Sequence, residues 1–128
     1  MGAEGKWVAT IKFLVVDDNS RWRRLMRGLF EVVGSVVECS DGDQALDAYR
    51  SEKPDWVLMD ITMAVTDGFT AASRIRSHYR DAHILFVSQH NDPDTRATAA
   101  KLGCELVAKD NLESLHAKIH SGYFGRQN

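Results

Sequence analysis

The sequence contains few cysteines and no long apolar run. Only two cysteines occur, Cys39 and Cys104, and neither stands in a CxxC pair. This excludes a disulfide-rich secreted scaffold and favours a reducing cytoplasm. No apolar run approaches the ~20 residues that a membrane helix needs, and the N-terminus lacks the apolar stretch of a signal peptide. We therefore expect a cytoplasmic protein with no membrane contact.

The sequence also lacks a large excess of charge of either sign. Sixteen Lys and Arg stand against eighteen Asp and Glu, for a formal charge of -2, which argues against direct nucleic-acid binding through bulk electrostatics. A chain of 128 residues has the size of one domain. We expect a single domain over residues 1–128, with a core over about 11–121 and no effector domain.

Short apolar runs alternate with helical patterns along the whole chain. The runs have little polar alternation, as expected for parallel strands that are covered on both faces. The five predicted strands are residues 11–16, 36–39, 56–59, 84–87 and 106–108. This alternation predicts an α/β fold, a flavodoxin-like doubly wound (βα)5 three-layer sandwich whose parallel sheet has the order 2-1-3-4-5.

The helical patterns differ in strength. The first is strongly amphipathic and ends at Gly34, the second begins near Asp41, and the third follows Asp67 and Gly68. The fourth, which begins at Pro93, has a thin apolar face, so we expect it to be the part of the domain that moves. The fifth is expected to be short, with the domain ending at the glycines from 122 onward.

Five polar residues stand at the carboxyl ends of four predicted strands: Asp17, Asp18, Asp60, Ser88 and Lys109. In the order 2-1-3-4-5 these four strands are neighbours, so the side chains should converge on one crevice. Each residue alone has a simpler explanation, because acids before helices are usually caps and a lysine is usually a solvated surface charge. Their convergence from four loops is hard to attribute to capping.

The charges of this crevice predict its chemistry. Three carboxylates and one ammonium leave a deficit of about two units of positive charge. Oxygen ligands favour a hard cation, and Mg2+ fits better than Zn2+. Lys109 and the Ser88 hydroxyl remain to meet phosphoryl oxygens. A carboxylate can itself accept a phosphoryl group, so Asp60 is the natural acceptor, with Asp17 and Asp18 as the metal pair.

The motifs of the chain resemble those of a known family. They read LVVDD at 14–18, DGDQAL at 41–46, PDWVLMDITM at 54–63, DG at 67–68, then Ser88 and Lys109. From about residue 11 to 119 the chain resembles the CheY-like receiver domain of bacterial two-component response regulators. Lys109 followed by Asp110, where many receivers have Lys-Pro, makes it most similar to the NarL/LuxR-type subfamily, whose members usually carry a DNA-binding helix-turn-helix domain after the receiver.

The resemblance implies a function for each site residue. Asp60 would accept a phosphoryl group from a sensor histidine kinase in a Mg2+-dependent reaction. Asp17, Asp18, Asp60 and the Thr62 backbone carbonyl would hold Mg2+, while Ser88 and Lys109 would contact the phosphoryl oxygens. The family catalyses its own phosphorylation and dephosphorylation and changes partners as a switch, so we do not expect a metabolic enzyme.

Two residues depart from the family pattern, and two others have predicted roles beside the acceptor. Ala64 replaces the usual proline, so the loop after the acceptor should be less constrained. Leu106 replaces the usual Tyr or Phe, which should weaken coupling to the outer face or shift it to other residues. Thr62 and His90 flank the phosphoryl position in the family and are expected to tune its lifetime.

The sequence predicts the partners of the chain less precisely than its site residues. Arg21, Arg23, Arg24 and Arg27 should lie on the exposed side of the first helix, opposite its apolar stripe. They form either a solvated face, which is common for basic helix surfaces, or the docking site for the kinase. The second interpretation rests on the resemblance, because the family uses this helix for that contact. The downstream partner is unknown, or it is a DNA-binding domain for which the chain ends too early, near Asn128.

Two other functions compete with the phosphorylated switch. A degenerate receiver would bind partners without phosphorylation, and Leu106 and Ala64 are the features that favour it. A flavodoxin-type FMN carrier would share the topology, but its first loop needs hydroxyl and glycine residues to hold phosphate. The acids Asp17 and Asp18 would repel that phosphate.

Overall fold

The structure is a computed structural model that describes residues 11–127, with side chains up to residue 121. The strands are β1 (Ile11–Val16), β2 (Gly34–Cys39), β3 (Trp56–Met59), β4 (Ile84–Ser88) and β5 (Glu105–Ala108). The helices are α1 (Ser20–Phe30), α2 (Ala45–Glu52), α3 (Gly68–His78), α4 (Pro93–Lys101) and α5 (Leu112–Gln127). The N-terminal features discussed above lie outside the described residues.

The five strands form one parallel sheet in the order β2-β1-β3-β4-β5. The predicted doubly wound (βα)5 fold is therefore confirmed. The register pairs Val16 with Met59 and Ser88 with Ala108 at the carboxyl ends of the strands. This alignment ends the central strands at nearly the same level, so the residues that follow them lie along one edge of the sheet.

Apolar side chains pack on both faces of the sheet. On one face, α1 and α5 cover a cluster that includes Phe13, Met26, Leu58 and Leu115. On the other face, α2, α3 and α4 cover a second cluster that includes Phe86 and Ile75. Successive residues of β1 alternate between the two clusters, as side chains of a strand must. Burial on both faces explains why these strands read as continuous apolar runs.

Several boundaries differ from those predicted. Gly34 does not end the first helix but begins β2, where a Cβ would lie 1.9 Å from the Ile11 carbonyl oxygen. Asp41 caps a single 3-10 turn at Gly42–Gln44, which precedes α2. The prediction that the last helix is short is wrong, because α5 runs through the glycines to Gln127. A helix tolerates an internal glycine at a cost of about 1 kcal/mol, and glycine alone does not stop it.

The thin apolar face of α4 is confirmed, since Ala99 is the buried residue in this helix. Pro93 occupies its first turn, as predicted, and Asp92 caps it. That α4 is the moving part of the domain stays a prediction. Among the described helices, none combines the length and the apolar character that crossing a membrane would require.

Candidate functional site

The ends of β1 and β3 place three carboxylates side by side. Hydrogen bonds continue one residue past the strands, from the Asp17 N–H to Cys39 O at 3.0 Å and from the Asp60 N–H to Val16 O at 2.9 Å. Asp17, Asp18 and Asp60 each offer an oxygen, and these oxygens lie within 4.8 Å of one another. Asp17 and Asp60 are buried, whereas Asp18 is exposed. The structure thus brings the predicted acidic residues together.

The ends of β4 and β5 supply the cation and the hydroxyl. The Lys109 N–H donates to Ser88 O at 2.9 Å, which joins the two strand ends. Lys109 Nζ lies 2.7 Å from Asp17 Oδ2 and 3.8 Å from Asp60 Oδ2. Ser88 is fully buried, and its Oγ accepts a hydrogen bond from the His90 N–H at 3.0 Å. All five predicted residues therefore lie at the carboxyl edge of the sheet.

The two oxygens of the Asp17 carboxylate have different partners. Its Oδ1 accepts a hydrogen bond from the Asn19 N–H at 2.8 Å. Its Oδ2 is buried without a hydrogen bond of suitable angle, although the Lys109 ammonium lies close enough for an ion pair. A buried carboxylate oxygen that lacks a hydrogen bond and lies next to two more carboxylates is an environment that suits a hard divalent cation.

The Asp60 carboxylate is difficult to ionise in the metal-free protein. Burial and the neighbouring Asp17 raise its pKa to about 6 from an ordinary 3.8, and the Lys109 ammonium opposes the rise. Its Oδ1 accepts a hydrogen bond from the Ile61 N–H at 2.9 Å. Its Oδ2 is the oxygen that faces Lys109. A cation at this site would return the pKa toward the ordinary range.

A shallow cavity of about 160 Å³ opens above these residues. Its lining includes four of the predicted residues, Asp18, Asp60, Thr62 and Lys109, together with His90. Thr62 and His90 are exposed, so both stand at the mouth of the cavity, as expected for groups that control the approach of water. The cavity gives a small anion access to Asp60 beside the ammonium.

The loop that follows Asp60 is held at several points. Asp41 Oδ2 accepts from the Val65 N–H at 2.9 Å, and its Oδ1 accepts from the Thr66 N–H at 2.8 Å. The Gly68 N–H donates to Ile61 O at 2.7 Å, and a Cβ on Gly68 would lie 2.0 Å from the Asp60 carbonyl oxygen. Residues on either side of Ala64 are therefore anchored without the usual proline.

Part of the prediction for the first helix is wrong. Arg21 and Arg24 are exposed as expected, but Arg23 and Arg27 are half-buried. Both ion-pair with Glu38 on β2, at 3.0 Å and 2.7 Å. The helical pattern alone could not show this, because Glu38 lies on a neighbouring strand whose register was unknown.

Sequence reasoning missed one residue at the site. The Trp22 ring lies against Lys109, with Nζ 4.9 Å from the ring centroid. The amphipathic pattern of the first helix gives Trp22 only a place among its apolar residues. Its place in the first turn of α1, four residues after Asp18, is the signal that could have placed it at this edge of the sheet.

Comparison with known proteins gives one consistent family. Residues 13–120 match the family model described as the response regulator receiver domain. The chemotaxis protein CheY of Halobacterium salinarum is 32% identical over 72% of this chain and 78% of its own length. The chain covers 47% of the first curated relative, a probable transcriptional regulator from Porphyridium aerugineum, so it spans about half of such proteins.

Solved structures give the same result. A two-component response regulator of the LuxR family from Aurantimonas has a TM-score of 0.84 and 30% identity, covering 91% of this chain and 87% of its own. The response regulator TrrA from Thermotoga maritima, in complex with Mg2+ and BeF, has a TM-score of 0.78 and 25% identity, covering 88% and 98%. These likenesses support a receiver rather than a flavin carrier.

Proposed function

The chain belongs to the response regulator receiver family of two-component signal transduction, and from this premise we propose that Asp60 is its phosphoryl acceptor. The observation that carries the proposal is the position of Asp60, which lines an open cavity and whose Oδ2 lies 3.8 Å from the Lys109 ammonium. The donor is a phosphohistidine of a sensor kinase, and the transferred group switches the interactions of the domain with its partners.

Asp17, Asp18 and Asp60, with the Thr62 backbone carbonyl, are the residues proposed to hold Mg2+. The clustering of the three carboxylates and the buried Asp17 Oδ2, which has an ion pair with Lys109 but no hydrogen bond, support this assignment. When bound, Mg2+ supplies charge that offsets the negative oxygens of the phosphoryl group and of the carboxylates. Lys109 alone carries one positive charge against three negative ones, which is too little for an incoming anion.

The transfer itself needs only a nucleophile and a charged pocket. Asp60 Oδ2 attacks phosphorus, a P–O bond forms, and the P–N bond of phosphohistidine breaks with its electron pair going to the imidazole nitrogen. Lys109 donates a charged hydrogen bond to the phosphoryl oxygens. The Ser88 hydroxyl accepts from the His90 N–H and still has its own proton to donate to the phosphoryl group.

The reversal returns the domain to its starting state. Water attacks phosphorus, the P–O bond to Asp60 breaks, and the electron pair returns to the carboxylate as inorganic phosphate leaves. In this scheme the domain itself is the group that is phosphorylated and then dephosphorylated, with water as the attacking group in the reversal. Thr62 and His90, at the mouth of the cavity, lie where they affect the approach of this water.

Intact-mass spectrometry with acetyl phosphate and Mg2+ tests the acceptor chemistry. We expect the wild type to gain one phosphoryl group, and Asp60→Asn or a sample in EDTA to gain none. Asp81→Asn, at an exposed position remote from the site, is the matched control and should behave as the wild type. A folded wild type that gains nothing would instead favour a receiver that binds partners without phosphorylation.

The exposed part of α1 is the proposed docking surface for the kinase. Arg21 and Arg24 are exposed, and they border a shallow apolar groove that includes Leu25. Arg23 and Arg27 already pair with Glu38, so they contribute less free charge. The surface therefore suits a partner that presents apolar side chains flanked by acids.

Charge reversal tests the docking surface separately from the chemistry. Arg21→Glu with Arg24→Glu should slow transfer from a histidine kinase that phosphorylates the wild type, while reaction with acetyl phosphate stays unchanged. The matched control is Arg74→Glu with Arg80→Glu, because both residues are exposed and lie away from α1. Equal losses with kinase and acetyl phosphate would refute docking on this helix.

A further inference from the structure

We propose that Trp22 is a positioning residue for Lys109. Its ring holds the ammonium against Asp17 and Asp60, and it thereby sets the rate at which Asp60 gains a phosphoryl group. This inference rests on the proposed function and adds a residue that does not touch the reacting atoms. The inference is drawn from the groups that surround the Lys109 ammonium.

Three groups surround the Lys109 ammonium. Nζ lies 2.7 Å from Asp17 Oδ2, 3.8 Å from Asp60 Oδ2 and 4.9 Å from the centroid of the Trp22 ring. A cation over an indole face is attracted by the negative charge of the π system, and the attraction strengthens when water is displaced. The Lys109 side chain is only 12% exposed, so the contact operates largely out of water.

The Trp22 ring is itself held in place. Trp22 packs against the apolar cluster beneath α1 and α5. Its backbone N–H donates to Asn19 Oδ1 at 3.1 Å, the cap that fixes the first turn of α1. Because Asn19 also donates its own N–H to Asp17 Oδ1 at 2.8 Å, one residue joins the backbone of Trp22 to the carboxylate that Lys109 contacts. The backbone is thus held by the cap and the ring by its packing against the cluster.

The ring matters because the lysine has an alternative place to go. A cavity of about 330 Å³ lies beside it, and its lining includes Trp22, Lys109 and the exposed acid Asp110. A lysine side chain has four rotatable bonds, so without the ring its ammonium gains access to Asp110 and to water. When the ammonium moves to Asp110 or into water, a positive charge is lost from the side of Asp60 that the phosphoryl group must approach.

The rate of phosphorylation by acetyl phosphate with Mg2+, followed by intact mass, tests this role. We expect Trp22→Leu to slow the reaction about fivefold, which corresponds to about 1 kcal/mol. Trp22→Phe keeps an aromatic face and should restore the rate to within about twofold of the wild type. Should the leucine variant fail to fold, Trp22→Met provides the same comparison with an aliphatic side chain.

A double-mutant cycle with Lys109→Ala separates positioning from a structural effect. If Trp22 acts through Lys109, Trp22→Leu should change the rate little in the Lys109→Ala background. Ile119→Ala, which opens the same apolar cluster away from the site, should lower stability without slowing the reaction. Equal slowing in both backgrounds, or an unchanged rate in Trp22→Leu, would overturn the inference, whereas an unreactive wild type would overturn the proposed function instead.

Discussion

Asp60 is buried beside a second carboxylate, and both conditions oppose its ionisation. The pKa of about 6 lies above the ordinary 3.8 because of burial first and the charge of Asp17 second. Below pH 4 the group is protonated in both folded and unfolded protein. Between pH 4 and 6 the unfolded chain loses its proton first, so this group destabilises the fold increasingly, and the cost is complete above pH 6.

Asp60→Asn should therefore stabilise the metal-free protein above pH 6. At pH 7.5 in EDTA we expect the free energy of unfolding to rise by about 2 kcal/mol, and at pH 4 to change little. Urea denaturation at the two pH values measures this difference. Asp81→Asn, which is exposed, is the control. A gain of the same size at both pH values would contradict the account of the Asp60 charge.

Thr62 and His90 should govern how long Asp60 stays phosphorylated. Both are exposed at the mouth of the cavity, so truncation admits water more freely. We expect Thr62→Ala and His90→Ala each to hasten loss of the phosphoryl group by about two- to tenfold, equivalent to about 0.4–1.4 kcal/mol in the barrier. The decay of the mass shift in time provides the rate, with the exposed Thr70→Ala as control. Unchanged decay in both variants would eliminate this role.

The sequence identified the polar residues of the site because each one directly follows an apolar run. Alternation predicts a doubly wound sheet, and Asp17, Asp60 and Lys109 could be placed together once that sheet was given the flavodoxin-like strand order. The contact between Trp22 and Lys109 and the pairing of Arg23 with Glu38 could not be. They depend on side-chain directions and strand register, which a periodic pattern does not contain.

At the scale of elements, the loop between β3 and α3 depends on Asp41. Burial raises the pKa of this carboxyl, but hydrogen bonds from the backbone of Val65, Thr66, Asp43 and Gly42 outweigh burial, and the pKa is lowered. These bonds stabilise the fold at neutral pH. Their contribution is lost as the pH falls below 3.8, the ordinary pKa of the carboxyl, and then through its lowered pKa in the folded protein. Asp41 thus fixes a loop that carries Thr62.

Asp41→Ala should loosen this loop and weaken the fold. It leaves the Val65 and Thr66 N–H groups without their acceptor, so we expect a loss of about 1–3 kcal/mol in the free energy of unfolding at pH 7. The same variant should react more slowly with acetyl phosphate because Thr62 is less well placed. Asp43→Ala, at an exposed neighbouring position, is the control for urea denaturation. If Asp41→Ala had the stability of the wild type, the loop would not depend on the hydrogen bonds to Asp41.

The elements were easier to predict than their ends. The strands and helices follow from the alternation of apolar runs with helical periodicity, and the start of α4 at Pro93 was predicted correctly. Glycine often stops a helix, so the sequence predicts helix ends at Gly34 and at the glycines of α5. Gly34 instead serves a close approach to Ile11, which is a property of tertiary packing and not of the local sequence.

At the scale of the whole molecule, the cluster of carboxylates should couple folding to the metal. A cation that binds only the folded state stabilises it, by about 2.7 kcal/mol at a hundred times its dissociation constant. We expect Mg2+ to raise the melting temperature of the wild type and to have little effect on Asp17→Asn with Asp18→Asn. Thermal unfolding across a Mg2+ titration, with ionic strength held constant, measures this. An equal rise in both proteins would indicate a general effect of salt.

The measurement that tests the central claim most directly locates the phosphoryl group on the chain. The protein is incubated with acetyl phosphate and Mg2+, the acyl phosphate is reduced with borohydride to the alcohol, and peptides are mapped by mass spectrometry. We expect reduction at Asp60 alone, with Asp17, Asp18 and Asp41 unmodified. Reduction at any other carboxylate, or none in a folded sample, would contradict the assignment of Asp60 as the acceptor.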